Sequence, residues 1–242
     1  MIKITVVIPA YNEERYIAKT LQALSNAKTR YEKKTMNKIE VLVVNNNSSD
    51  KTALICSKYD VRLLQEKNQQ IAACRNHGAR VSKGEILIFL DADTIVPMNF
   101  FKIIEKNLST QKIIGGSAKL ISDNNNMISK IMYALWNIFS LLLPFKGAVL
   151  YCYRDTFFEI GGFDESFYAL EDVKFSIQLK KIGKKYNKKF ISNKSLSVIT
   201  ASRKFKNIEM KKIIKMIHQI LLNPFSFYRK KEIVGCWFYS IR

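Results

Sequence analysis

The chain reads as an α/β fold built on a mostly parallel, Rossmann-like sheet with helices on both faces. Three observations predict it. Short β-branched runs alternate with helical stretches through the first hundred residues. The loops between them are short. Polar clusters follow three of the runs, at the strand ends where parallel sheets bind ligands.

In order, Ile4 to Ile8 is a buried-type run closed by Pro9 and reads as a parallel strand. A helix is expected over about Glu13 to Leu24. Ile39 to Val44 is a second buried strand, stopped by Asn45-Asn46-Asn47-Ser48-Ser49-Asp50. Ser49 or Asp50 is placed to cap a helix running through Cys56. Val61 to Leu64 is a third strand, and Gln70 to Val81 a helix. Glu85 to Leu90 is a fourth strand that runs into Asp91-Ala92-Asp93. Beyond it the pattern is less regular. Strands are expected over Ile113 to Leu120, Gly147 to Tyr153 and Leu196 to Ala201, and helices over Met127 to Leu143, Asp172 to Ile182 and Ile208 to Leu222. A turn is expected at Gly161-Gly162-Phe163-Asp164-Glu165.

The 242 residues carry 40 Lys and Arg against 20 Asp and Glu, a formal net charge of +20. From Lys174 to Lys231 the only acid is Glu209, so the excess lies in the C-terminal third. Such a chain attracts anionic partners: phosphate-bearing substrates, an acidic membrane surface or nucleic acid. Cys56, Cys74, Cys152 and Cys236 have no CxxC spacing, and only His77 and His218 could join them, so a structural zinc site is not expected. Isolated cysteines and an N-terminus without a signal-peptide pattern point to the cytosol. Polar residues and Pro144 interrupt the apolar run from Ile128 to Leu150, which falls short of a spanning helix.

Chemistry concentrates at the strand ends. Asp91 and Asp93, spaced i, i+2 after a buried strand, present hard oxygen ligands suited to Mg2+ or Mn2+, an ion that would also bind a substrate diphosphate. Glu171 and Asp172 open a helix. One of them could take a proton from an attacking hydroxyl, or both could serve only to cap that helix. Gly161 and Gly162 would let the backbone approach a ligand closely, or make an ordinary turn, and Gly147-Ala148 could leave room beside it. Arg203, in Ser202-Arg203-Lys204, could fold over a diphosphate.

Six segments together resemble family 2 glycosyltransferases. They are Val7-Ile8-Pro9-Ala10-Tyr11-Asn12-Glu13-Glu14, Val43 to Thr52, Arg75-Asn76-His77-Gly78-Ala79, Lys83-Gly84-Glu85 to Asp93, Gly161 to Glu165, and Glu171-Asp172. Order and spacing agree over about residues 3–205. The resemblance implies the GT-A fold, a nucleotide-sugar donor, a divalent metal and inversion at the anomeric carbon. It implies that Pro9, Ala10, Tyr11 and Glu13 line the base and ribose pocket, that Asn45 and Asn46 reach the base edge, and that Arg75 lies near the nucleotide. Asp93 would ligate the metal directly and Asp91 would sit near ribose and metal. Asp172 would be the base, with Glu171 second choice, and Asp164 would stand with the glycines on the sugar or acceptor side.

Many relatives carry an acid where this chain has Asn45 or Asn46. Asparagine can still accept a hydrogen bond from a base edge through its amide oxygen and can donate as well, so UDP is favoured less sharply over GDP. The acceptor is expected to be a glycan or a lipid-linked hydroxyl or phosphate in cell-envelope synthesis.

The domain is expected over 1–205, with a nucleotide-binding half at 1–110 and an acceptor-binding half at 111–205. Residues 206–242 would form a basic, aromatic-rich helical tail suited to peripheral contact with the inner face of an anionic membrane. The competing readings are a basic nucleic-acid-binding protein, a nucleotidyltransferase and a donor-binding relative without catalysis. No nucleic acid is expected, because no recognised binding motif appears and an acidic cleft repels phosphates.

Overall fold

The computed structural model describes residues 2–123 and 147–201. The expected helices at Met127 to Leu143 and Ile208 to Leu222, the tail and Arg203 lie outside the described residues. In chain order the elements are β1 (Ile2–Ala10), α1 (Ile17–Glu32), β2 (Lys38–Asn45), α2 (Thr52–Cys56), β3 (Arg62–Gln65), α3 (Ile71–Val81) and β4 (Ile86–Leu90). Then come β5 (Thr94–Ile95), α4 (Phe100–Ser109), β6 (Ile113–Ser122), β7 (Val149–Tyr153), α5 (Arg154–Ile160), α6 (Glu171–Lys185) and β8 (Lys189–Thr200).

One eight-stranded sheet has the order β3-β2-β1-β4-β7-β6-β8-β5. The strands β3, β2, β1 and β4 are parallel throughout. On the other side β7 runs antiparallel to both β4 and β6, β8 is parallel to β6, and β5 is antiparallel to β8. The sheet is thus parallel in its first half and mixed in its second. It crosses residue 110 without a break.

The central strands are apolar on both faces because both faces are covered. Ile4, Val6 and Ile8 of β1 pack with Leu21, Leu24, Phe100 and Ile104 of α1 and α4 on one side. Val7 packs with Ala72, Cys74, Phe157, Phe175 and Leu179 of α3, α5 and α6 on the other. Residues Ile86 to Leu90 of β4 alternate between the two cores in the same way. Pro9 lies past Val7, where β1 stops pairing with β4, so at Pro9 the strand has only β2 as a partner. A residue with no N–H is tolerated at such a one-sided position.

Helix α1 starts at Ile17 rather than Glu13. Asn12 adopts φ 53°, and the Glu13 carbonyl accepts from both Tyr16 N and Ile17 N at 2.9 Å, so a turn precedes the helix. Asp50 Oδ1 accepts the Thr52 backbone N–H at 2.9 Å, but Lys51 holds the N-cap position and α2 has no side-chain cap, so the cap expected of Ser49 or Asp50 does not form. The elements β5, α4 and α5 were not anticipated. Cys56, Cys74 and Cys152 are buried and form no disulfide. Among the described residues no helix is long and apolar enough to cross a membrane.

Gly84 leads into β4 at a point with no space for a side chain. A Cβ there would lie 2.5 Å from the Thr5 backbone N and 2.6 Å from the Ile4 carbonyl carbon. Gly84→Ala is expected to destabilise the fold by about 1–3 kcal/mol, the range for forced overpacking, as read from the midpoint of urea denaturation.

Candidate active site

The carboxyl ends of β2, β1 and β4 lie side by side, so the loops that follow them meet. The first two loops are laced together. Asn12 N–H donates to Ser48 Oγ at 3.0 Å, and Ser49 N–H donates to Asn12 Oδ1 at 2.9 Å. Glu13 N–H donates to Thr52 Oγ1 at 2.7 Å, and Glu14 N–H to Asp50 Oδ2 at 3.0 Å. Pro9, Ala10 and Glu13 are buried, while Tyr11 is half-buried.

Asn45 donates its amide to Gln65 Oε1 at 2.9 Å, and its Oδ1 accepts from Ser48 N–H at 3.3 Å. Asn46 donates to two backbone carbonyls, Glu66 O at 3.0 Å and Asn68 O at 2.7 Å. Two carbonyl partners identify that end of the amide as the NH2 and turn Oδ1 the other way. These asparagines therefore brace the loop after β3.

The carboxylate turn follows β4. Asp91 N–H donates to Ala148 O at 3.0 Å, Thr20 Oγ1 donates to Ala92 O at 2.8 Å, and Ala201 N–H donates to Asp93 O at 3.3 Å. Three distant parts of the chain thus hold one turn. Thr200 Oγ1 also lies 3.4 Å from Asp93 Oδ1.

Arg75 is the centre of the charge arrangement. It is 4% exposed on helix α3. Its Nη2 donates to Asp91 Oδ1 at 3.1 Å, and its Nη1 donates to Glu171 Oε1 at 2.5 Å. Its guanidinium carbon lies 5.1 Å from the centroid of the Phe163 ring. Burial opposes this charge, but Glu171, Asp91 and Asp172 outweigh it and hold Arg75 protonated. Arg75 is thereby committed to two carboxylates of the chain.

The Glu171-Asp172 pair separates by environment. Glu171 is 4% exposed and taken by Arg75. Asp172 is half-buried, and its Oδ1 accepts Val173 N–H at 2.8 Å. Burial first, then the charges of Glu171 and Asp91, push its carboxyl up to about 7, against the opposing pull of Arg75. A Cβ on Gly147 would come within 3.2 Å of Asp172 Oδ2. Gly147 and Asp172, far apart in sequence, are therefore neighbours.

Gly161 and Gly162 have φ of 88° and 77°, the left-handed region that favours glycine. A Cβ on Gly162 would meet Asn76 Oδ1 at 2.8 Å. Asn76 in turn accepts from Phe163 N–H at 2.9 Å and donates to Phe163 O and Glu165 Oε1 at 2.8 Å each. Gly162 thus makes way for an asparagine of the chain itself. Asp164 accepts from Ser166 N–H and is paired with Lys174. Although burial works the other way, these bonds hold its carboxyl down at about 2. Sequence reasoning assigned no role to Gln70, whose buried amide donates to Glu165 O and Phe167 O. Nor did it assign one to Asn76 or Thr20. A polar residue at the start of a helix was the only signal for Gln70.

Among the described residues no cluster of three or more His, Cys, Asp and Glu could hold a metal by itself. Asp91 and Asp93 could supply two hard oxygen ligands at most in this turn. That set suits an ion that fills its shell with diphosphate oxygens and water, as Mg2+ and Mn2+ do.

Residues 5–164 match the family model for glycosyl transferase family 2. The glycosyltransferase GlyA of Streptococcus pneumoniae is 31% identical over 111 residues, 44% of this chain and 15% of that protein. The chain therefore spans a small part of that relative's length. Among solved structures, S. aureus TarS 1-349 in complex with UDP-GlcNAc superposes with a TM-score of 0.64 at 20% identity, covering 92% of this chain and 67% of that one. The mannosyltransferase PcManGT from Pyrobaculum calidifontis, in complex with GDP-Man and Mn2+, gives a TM-score of 0.64 at 20% identity, covering 81% of this chain and 56% of that one. These likenesses identify the fold as GT-A.

Arg75→Met would leave Glu171 buried without its cation, and the expected loss is about 3–5 kcal/mol of stability. Adding Glu171→Gln should recover part of it, since the stranded charge is then gone. Urea denaturation of the two single variants and the double variant reads the coupling.

Proposed function

We propose a reaction that starts from an established point: the chain belongs to glycosyl transferase family 2. The reaction is transfer of a sugar from a nucleotide-sugar donor, UDP-linked by preference, to an acceptor hydroxyl or phosphate with inversion. The observation that carries it is the position of Asp172. It stands next to Gly147 with a raised pKa, while its neighbour Glu171 is locked to Arg75 and Arg75 is locked to the Asp91 turn.

In this reading the laced loops after β1 and β2 take the base and ribose through Tyr11, Glu13, Asn45 and Asn46. The Asn46 Oδ1, turned away from the 66–68 loop, is the acceptor for a base N–H. Asp93 and Asp91 hold the divalent ion, which supplies positive charge to the departing diphosphate. The acceptor enters beside Gly147. Asp172 removes the proton of its hydroxyl as the oxygen bonds to the anomeric carbon, and the bond from that carbon to the nucleoside diphosphate breaks on the opposite face. Glu171 and Arg75 position Asp172 and set its charge. The GT-A unit comprises residues 1–205, with 206–242 as a basic segment at the inner face of a membrane that carries a glycan or lipid-linked acceptor.

Asp172→Asn is expected to lower kcat by at least ~100-fold. In the wild type, kcat/KM should fall as pH drops through about 7, because the base must be deprotonated. The sign for stability is opposite. The folded state binds the Asp172 proton more tightly than the unfolded chain, so stability declines as pH rises from the ordinary carboxylate range to about 7. The asparagine variant should therefore be inactive yet more heat-stable than wild type at pH ~8.

UDP or a UDP-sugar with Mn2+ should raise the melting temperature, and EDTA or Asp93→Ala should abolish the rise. Stabilisation by GDP instead would reassign the base. Stabilisation by no nucleotide would remove the proposal and move nucleic-acid binding forward.

A further inference from the structure

A second concave site lies away from the carboxylate turn. A cleft of about 380 Å³ opens between the end of α1 and the start of α4, a size in the range of small-ligand sites. Arg30, Lys34, Lys102 and Lys106 line it together with Tyr31 and Met98, and no carboxylate does. Thr20, which holds the catalytic turn, lies ten residues before Arg30 on α1, so the cleft is about 15 Å further along that helix.

The charges are arranged against their own comfort. Lys102 and Lys106, at i, i+4 on α4, are a like-charged pair that repels on a helix surface, and Arg30 in the last turn of α1 and Lys34 just past its end add two more cations to the lining. Among the described residues none of the four forms an ion pair. The acid closest to them on α4, Glu105, is half-buried and accepts the Asn37 amide at 3.2 Å. An anion seated among these four cations would relieve the repulsion between Lys102 and Lys106 and offset the charge of the other two.

The rim is apolar. Met98 is 47% exposed, and Met36 is 94% exposed. Met36 follows the lining residue Lys34 by two positions and does not itself line the cleft. We propose that this cleft seats the phosphate of a lipid headgroup and docks the domain on an anionic bilayer, with Met36 and Met98 against the acyl boundary. A free phosphate would leave the methionines without a role. A nucleic-acid strand would want an exposed stacking ring, and Tyr31 is only 5% exposed. Cations beside exposed apolar groups match an anionic membrane surface. The inference stands independently of the glycosyl-transfer reading, because its readout is membrane partition.

The test is flotation of the full chain with vesicles of phosphatidylcholine and phosphatidylglycerol in equal parts, and with phosphatidylcholine alone. The combined variant Lys34→Gln, Lys102→Gln, Lys106→Gln should lower partition roughly a hundredfold, at about tenfold or less per cation. Its melting temperature should equal or exceed that of wild type, since only repulsion is removed. Met36→Ser with Met98→Ser should also weaken binding. A variant with Lys211, Lys212 and Lys215 changed to Gln measures the tail separately. Wild-type partition by the cleft variant would overturn the proposal, as would equal binding of wild type to both vesicles. Unchanged binding by the methionine variant, with inorganic phosphate displacing the protein from vesicles, would also overturn it by making the cleft a free-phosphate site.

Discussion

Everything at the carboxyl edge of the sheet depends on one buried cation. Arg75 is taken out of water on α3 and satisfied by Asp91 at the end of β4 and Glu171 at the start of α6. Burying a guanidinium is unfavourable unless its partners are in place. The fold must therefore bring three elements to one point, two from the parallel half and one from the mixed half. The aromatic group beneath it supports this arrangement. Phe163 lies 4.8 Å from Phe89 and 4.5 Å from Phe175 between ring centroids, and Arg75 rests over Phe163. Burial and the charges of Glu171 and Asp91 leave Asp172 in an environment that resists a further negative charge.

Much of the first half was legible in the sequence, because a strand buried on both faces writes itself as an unbroken apolar run. Ile39 to Val44 and Ile86 to Leu90 lie almost where they were expected. The start of α1 was not legible. Its position depends on hydrogen bonds from residues 12–14 to the loop at 48–52, contacts between segments more than thirty residues apart. The second half was harder still. Strand β7 inserts between β4 and β6 against sequence order, and the close approach of Gly115 to the Tyr151 carbonyl, 2.5 Å from a built Cβ, is what lets it fit. No periodicity announces such an insertion.

At the candidate site the residue types were legible but their partners were not. Asp91, Asp93 and the Glu171-Asp172 pair stood out as acids in short motifs. Which member of the pair is held by a cation, and which is left to titrate, depends on Arg75 lying across the sheet. Asn76 carried no signal of its own, yet it grips the turn after Gly162 through three hydrogen bonds. Side chains that organise loops from a distance look like any polar residue until the loops are in place.

The buried cysteines carry a practical consequence. Cys152 sits on β7, the strand that joins the two halves of the sheet, and burial raises its thiol far above the ordinary range, as it raises Cys56 to about 11. A thiol reacts as its thiolate and needs access to the reagent. Alkylation at Cys152 therefore waits for β7 to detach. The rate at which that one sulfur acquires a label, followed by peptide mass, becomes a clock for separation of the parallel and mixed halves of the sheet.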